Sequence, residues 1–194
     1  MDNDADQKVA GSYYQKFHYI ALRSYKKALT CKEKIEEIQR KEHSLTDEDS
    51  FDIVKLNNEI EICGIQVIIF SALTLETFIN FYALVNLSKE YMENYLSGLD
   101  ITSKWIITPK LVTGEGLDWE SDHVKNLKVL ISTRDRLAQY KTRQVFSNRF
   151  KGVDRFWLED MEFAVDTVVN LVEALAEIDE KIKPDWVRKP NPGG

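Results

Sequence analysis

Glycine and proline are scarce in this 194-residue chain, eight and four, and three of the prolines, Pro184, Pro190 and Pro192, stand at its end. Almost nothing between residues 12 and 108 therefore breaks a helix. Cysteine is scarcer still. Cys31 and Cys63 both fall on apolar helix stripes, which predicts buried free thiols in a reducing compartment rather than a disulfide. The three histidines are scattered and no Cys/His spacing suits zinc, so neither a metal site nor a cofactor is expected. There is no Gly-rich phosphate loop, no His-Glu-x-x-His, no nucleophile elbow and no dinucleotide fingerprint, which excludes the commonest enzyme classes by signature. No run alternates with period two, and no segment repeats. Met1-Asp2-Asn3-Asp4-Ala5-Asp6 is the opposite of a secretion signal, and a cytoplasmic location is the expectation.

What is present is a large apolar fraction, 43%, beside 30% charged residues and a net charge of −6. The first allows a real core in one domain. The last argues against a protein that coats nucleic acid generally. The charge is uneven, however. Between Arg134 and Arg155 seven Lys/Arg face two acids, which leaves the remainder strongly acidic. A basic segment on an acidic body hints at a local anion site, and a solvated helix face followed by a loop would look the same.

Periodicity supplies the elements. Phe17, Ala21, Ser24, Ala28, Cys31, Ile35 and Ile38 are spaced by fours and threes, which predicts a helix over 12–40 with one apolar stripe. The polar stretch 43–50 reads as the turn of a helical hairpin, with Thr46 or Ser50 as N-cap. A second long helix over 51–86 is apolar nearly all round from Ile62 to Leu84. Gln66, Glu76 and Asn80 interrupt that run and no basic flank follows, so a central bundle helix is expected rather than a membrane span. Glu76 and Asn80 then share a face, largely buried, and Glu76 needs a cation, for which the arginines of 131–143 are the candidates. A short helix follows Ser88. Another, capped by Asp100 or Thr102, carries Lys104 and Trp105 and should end before Pro109. A helix over about 120–140 puts Arg134 and Ala138 in line with Val124, Leu127, Leu130, Ile131 and Leu137. A last helix is expected from about Arg155 to Ile182. The prediction is an all-α, up-and-down bundle of about four long helices with a short helical insert over 12–183. A loosely ordered stretch, 1–11, should precede it and a flexible tail, 184–194, should follow.

Three segments carry a resemblance. The run Ser71-Ala72-Leu73-Thr74-Leu75-Glu76-Thr77-Phe78-Ile79-Asn80 is similar to the first motif helix of HEPN-like domains. Lys104-Trp105-Ile106-Ile107-Thr108-Pro109-Lys110-Leu111 is similar to a segment that follows it in one branch. Leu130 to Lys141, reading Leu-Ile-Ser-Thr-Arg-Asp-Arg-Leu-Ala-Gln-Tyr-Lys, resembles the helix that bears the family's Arg-x4-6-His motif. Together they cover roughly 55–180 in the right order.

The resemblance implies a helical bundle, usually a homodimer with motif helices facing each other, and metal-independent ribonuclease activity in toxin–antitoxin or phage-defence systems. Arg134 matches the Arg, which would hold the scissile phosphate. Asp135 is the polar residue that would orient it. The register puts Gln139 where the His would move protons, and a longer spacing offers Tyr140 or Lys141. Glutamine cannot exchange a proton at neutral pH. Arg136, Arg143, Arg149 and Lys151 would add RNA or anion contacts, with Glu76 and Asn80 in support. The expected function is thus binding of RNA, a nucleotide or a protein partner such as a cognate antitoxin, without catalysis and without a membrane. A diverged metal-independent endoribonuclease using Arg134 with Tyr140 or Lys141 is the alternative, and a structural or adaptor bundle is the second.

Overall fold

A computed structural model describes residues 3–40, 46–143 and 158–188, with side chains over 13–40, 46–138 and 158–188. The fold is all-α, and no strand occurs among the described residues. Helix α1 spans Asn3–Gln39 and α2 spans Asp47–Asn86. A short α3, Lys89–Tyr91, runs into a π-helical turn, Met92–Leu96. Then come α4, Ile101–Thr113, α5, Asp122–Arg143, α6, Leu158–Ile178, and a 3-10 turn, Pro184–Val187.

Caps set the breaks. Thr46 forms a capping box with Asp49: its hydroxyl oxygen accepts the Asp49 N–H at 3.1 Å while the Asp49 carboxylate accepts the Thr46 N–H at 3.0 Å. Three acids in that first turn suit the positive end of the helix dipole. Asp100 caps α4 by accepting the Ser103 N–H at 3.0 Å, and hydrogen bonds from the Ser103 hydroxyl and N–H hold the Asp100 carboxyl below the usual range. Gly114 ends α4 in the left-handed region, φ 86°, where a side chain would be strained.

α2 is the element around which the others pack. It meets α1, α4, α5 and α6. Along the α1–α2 hairpin, Phe17 meets Phe70, Ser24 donates to Gln66 at 2.8 Å and Lys27 pairs with Glu59. These partners run in opposite directions, so the pair is antiparallel. Ala21, Ala28 and Ala72 are fully buried, and such small side chains let helices approach closely. Cys31 and Cys63 are buried free thiols, and burial pushes the Cys63 thiol up. By length and mean hydropathy, 1.9 over its most apolar window, α2 could cross a bilayer; 56% of that window is buried inside the fold.

Several sequence expectations are corrected. α1 begins at Asn3, ahead of residue 12, and runs through Gly11, since one glycine costs a helix only about 1 kcal/mol. α4 does not stop before Pro109 but runs through it. Pro109, Thr108 and Trp105 are buried, and their packing outweighs the roughly 3 kcal/mol that an internal proline costs a helix. The C-terminal turn of α4 is also held from outside. Gly116 lies so close that a Cβ there would sit 3.1 Å from the Ile106 carbonyl oxygen and the Lys110 Cβ. α6 ends at Ile178 rather than Ile182. There Asp179 accepts the Tyr82 hydroxyl at 2.9 Å and the Lys181 N–H at 3.0 Å, so its side chain replaces further helical turns. Ala138, expected in the core stripe of α5, is exposed, because the stripe drifts off the core near the end of the helix.

The largest correction concerns the chain after Pro184. Residues 184–188 are not a loose tail: Trp186 sits 4.7 Å from the Tyr14 ring and 5.3 Å from that of Phe78, and Val187 is fully buried. His18 Nε2 donates to the Val187 carbonyl oxygen at 3.3 Å. Residues 189–194, 144–157 and 41–45 lie outside the described set.

The Tyr82–Asp179 pair ties α2 to the end of α6. Burial, then the hydrogen bond to Asp179, raises the Tyr82 hydroxyl well above its ordinary range. Tyr82→Phe leaves a buried carboxylate short of a donor and is expected to cost about 2 kcal/mol, read as a lower urea midpoint with unchanged slope.

Candidate functional site

The residues singled out by sequence that the structure describes come from two helices. α2 carries Glu76 and Asn80, one turn apart; α5 carries Arg134 and Asp135. The fold brings three of them together. Arg134 Nη1 donates to Glu76 Oε2 at 2.9 Å, while Nε and Nη2 reach Asp135 Oδ1 at 3.0 and 2.9 Å. The guanidinium is therefore spread over two carboxylates, one from a neighbour in sequence and one 58 residues away. Its planar fork suits that task better than an ammonium would. The Glu76 side chain, expected to be largely buried, is 41% exposed, and that of Arg134 is 24% exposed. The pair sits at the edge of the α2–α5 packing, where water still reaches the carboxylate. Screening at such a site keeps its contribution to stability near 1 kcal/mol or less.

Asn80 belongs to a different contact. Lys104 from α4 donates to Asn80 Oδ1 at 3.1 Å, so one face of α2 receives a cation from each of two helices. Trp105, the next residue, is fully buried; its Nε1–H donates to the Leu75 carbonyl oxygen at 3.2 Å and its ring stacks on Phe78. It is a core side chain, closed to any base.

Arg136 is exposed and takes no part in this cluster. Its Nη2 reaches only the Thr133 hydroxyl, at 3.4 Å. It lines an open hollow of about 430 Å³ with Thr102, Lys128, Ile131, Ser132 and Asp135. Lys128, Ser132 and Arg136 are spaced by fours and so form one stripe of α5, a signal that was legible in the sequence but passed over. The Lys128 ammonium stands 3.4 Å from the centre of the half-exposed Trp119 ring. No carboxylate pairs with Lys128 or Arg136 among the described residues. Asp135, the one acid lining the hollow, already has Arg134. The hollow therefore presents two cations and a hydroxyl to solvent, and the chemistry that fits is an anionic oxygen group.

Gln139, Tyr140, Lys141 and Arg143 lie on the last turns of α5, and their side chains are outside the described set. Arg149 and Lys151 are outside the described residues altogether. Glu120 and His123 have the Glu-x-x-His spacing of di-iron bundles, yet both are exposed, and no group of three metal-ligating side chains occurs among the described residues. Compared with family models, with curated proteins and with solved structures, the chain matches none.

Proposed function

We propose that this chain is a HEPN-like helical protein that binds RNA or a nucleotide without cutting it. One observation carries the reading. On α5, Arg134 is engaged by Glu76 and Asp135, while Lys128, Ser132 and Arg136, on another face of the helix, line an open hollow. Phosphate is held by the open stripe, and Arg134, paired with Glu76, keeps α2 and α5 in register. With glutamine at position 139 of the motif, nothing at that position moves a proton, and loss of a general acid or base costs about 10²–10⁴-fold in rate. The reading places the protein in the cytoplasm, as a homodimer through its motif helices, in a toxin–antitoxin or phage-defence setting with a protein partner such as a cognate antitoxin. A diverged endoribonuclease and a purely structural bundle are the competing readings. The bridged state of Arg134 is what a structural pin between two helices also requires.

The test is a cleavage assay on labelled total RNA with EDTA present, run beside a salt series of RNA binding. Wild type is expected to leave RNA intact and to bind it less tightly as salt rises. Lys128→Ala combined with Arg136→Ala is expected to weaken binding at least about ten-fold and to flatten the salt slope by about two contacts. Gln139→His is expected to cut. Cleavage by wild type that disappears in Arg134→Ala would establish the endoribonuclease instead, and binding indifferent to salt and to both α5 cations would leave the structural bundle.

A further inference from the structure

Beside the hollow at Lys128 and Arg136 stands an aromatic ring that the bundle does not use. Trp105 is fully buried and Trp186 packs on Tyr14 and Phe78, but Trp119 is 50% exposed. It stays so even with the Lys128 ammonium over its ring, 3.4 Å from the centroid. A single exposed tryptophan is ordinary. This one is tied to the hollow, because Lys128 both lines the hollow and covers the ring.

The ring is also held in place. Trp119 lies in the turn ahead of α5, and its neighbour Leu117 is buried. Asp118 closes the turn: its carboxylate accepts the Glu120 N–H at 3.0 Å and its carbonyl oxygen accepts the Ser121 N–H at 3.0 Å. A side chain on a locked turn has less freedom to lose when a ligand covers it.

Charge sets which part of a ligand goes where. Asp118, Glu120 and Asp122 flank the ring in sequence. Asp118 serves the turn, and Glu120 reaches Lys125 at 3.8 Å. Such surroundings repel phosphate and tolerate a flat, neutral group. Phosphate belongs further along α5, where Lys128, Ser132 and Arg136 follow at intervals of about 6 Å along the axis. A nucleotide joins these two requirements in one molecule. The Lys128 ammonium is drawn to the indole only by the ring quadrupole, a weak attraction at an exposed site. A phosphate oxygen offers it full charge and a stronger hydrogen bond. Lys128 therefore turns from ring to phosphate as the ligand arrives, and the base takes its place on the indole. In a duplex the faces of each base are already stacked, so only an unpaired base can lie there.

We infer that Trp119 is the stacking platform of this site, an assignment that rests on the phosphate site proposed at Lys128 and Arg136. The ligand is then an unpaired nucleobase with its phosphate, from single-stranded RNA or a free nucleotide, and not an RNA duplex.

The test is equilibrium binding, to the full chain, of a labelled single-stranded RNA and of the same RNA annealed to its complement. Wild type is expected to bind the single strand at least about ten-fold more tightly than the duplex. Trp119→Ala is expected to weaken single-strand binding by about ten-fold, the effect of one base stack, and Trp119→Phe by much less. Neither should change duplex binding or helical content. The salt slope of Trp119→Ala should equal that of wild type, since no phosphate contact is lost. In competition, AMP should displace the strand at lower concentration than ribose phosphate, which lacks the base. A strand bound at least about ten-fold more tightly than AMP identifies RNA as the source of the base, and equal affinities identify the free nucleotide; both support the platform. Binding that is weakened by Lys128→Ala with Arg136→Ala but indifferent to Trp119→Ala overturns the platform and spares the phosphate site. A duplex bound as well as the single strand does the same. A wild type that binds neither RNA nor AMP overturns both.

Discussion

Trp105→Ala is expected to destabilise the protein by about 3–5 kcal/mol, the cost of removing a fully buried aromatic and leaving a cavity. Three separate losses combine. The indole is completely enclosed between α2 and the rest of the bundle. Its ring is stacked on Phe78 with centroids 5.9 Å apart, so truncation also strips one face from the aromatic cluster at Tyr14 and Trp186. Its Nε1–H is the side-chain donor to the Leu75 carbonyl oxygen. A chain of this kind has roughly 5–15 kcal/mol in total, so the substitution removes a large share and should lower the melting temperature by on the order of 10 °C. Trp105→Phe keeps the stack and forfeits the hydrogen bond, so about 1–2 kcal/mol is expected instead. Urea unfolding of the two variants beside wild type checks the ordering. Equal, sub-kilocalorie losses would mean that the site can collapse around the gap.

Acid is expected to unfasten the C-terminal turn through His18. The ring is 2% exposed, Nε2–H is committed to the Val187 carbonyl oxygen, and Nδ1 has no hydrogen-bond partner. Protonation would bury both a charge and an unsatisfied N–H, and burial lowers the His18 pKa from 6.5 to about 4, against a smaller opposing effect of the Val187 bond. A histidine depressed in the folded state keeps its full contribution above the unfolded value of 6.5. As pH falls below 6.5 the unfolded chain takes up the proton and the folded one does not, so stability drains away until about pH 4. At about 1.4 kcal/mol per unit the loss across that window approaches 3 kcal/mol. Asp100, held low by Ser103, loses its share at lower pH still. The measurement is the urea midpoint at several pH values from 7.5 to 4. His18→Gln, less stable at neutral pH, should show little change through the same window. Trp186 stands edge-on to the imidazole at 5.5 Å, so Trp186→Ala admits water and should move the His18 titration, followed by NMR, back toward 6.5. A His18 that titrates normally in wild type would end this account.

Much of the architecture was legible because helical periodicity is a local property. The stripe through Ala21, Ser24, Ala28 and Cys31 is the buried face of α1, and Val124, Leu127 and Leu130 are fully buried on α5. Thr46 caps α2, one of the two residues its hydroxyl pattern allowed. The demand of Glu76 for a cation pointed to the arginines of α5, and Arg134 is the one that meets it. Less visible was everything that depends on burial elsewhere. Pro109 reads as a stop, yet packing carries the helix through it. Trp186 and Val187 read as tail, yet Tyr14, Phe78 and His18 form their socket. Lys128, Ser132 and Arg136 were spaced for one face, but only α4, by supplying Thr102, turns that face into a hollow.

By itself the sequence determined an all-α chain with α2 at its centre, an α1–α2 hairpin at its start, and an arginine on the core-facing side of α5. Tertiary structure decided which groups that arginine meets and which cations stay open. The reason is one of range. Periodicity and caps act within a few residues of the chain, whereas an ion pair across 58 residues or a histidine sealed by a distant tryptophan exists only once packing has set which surfaces meet.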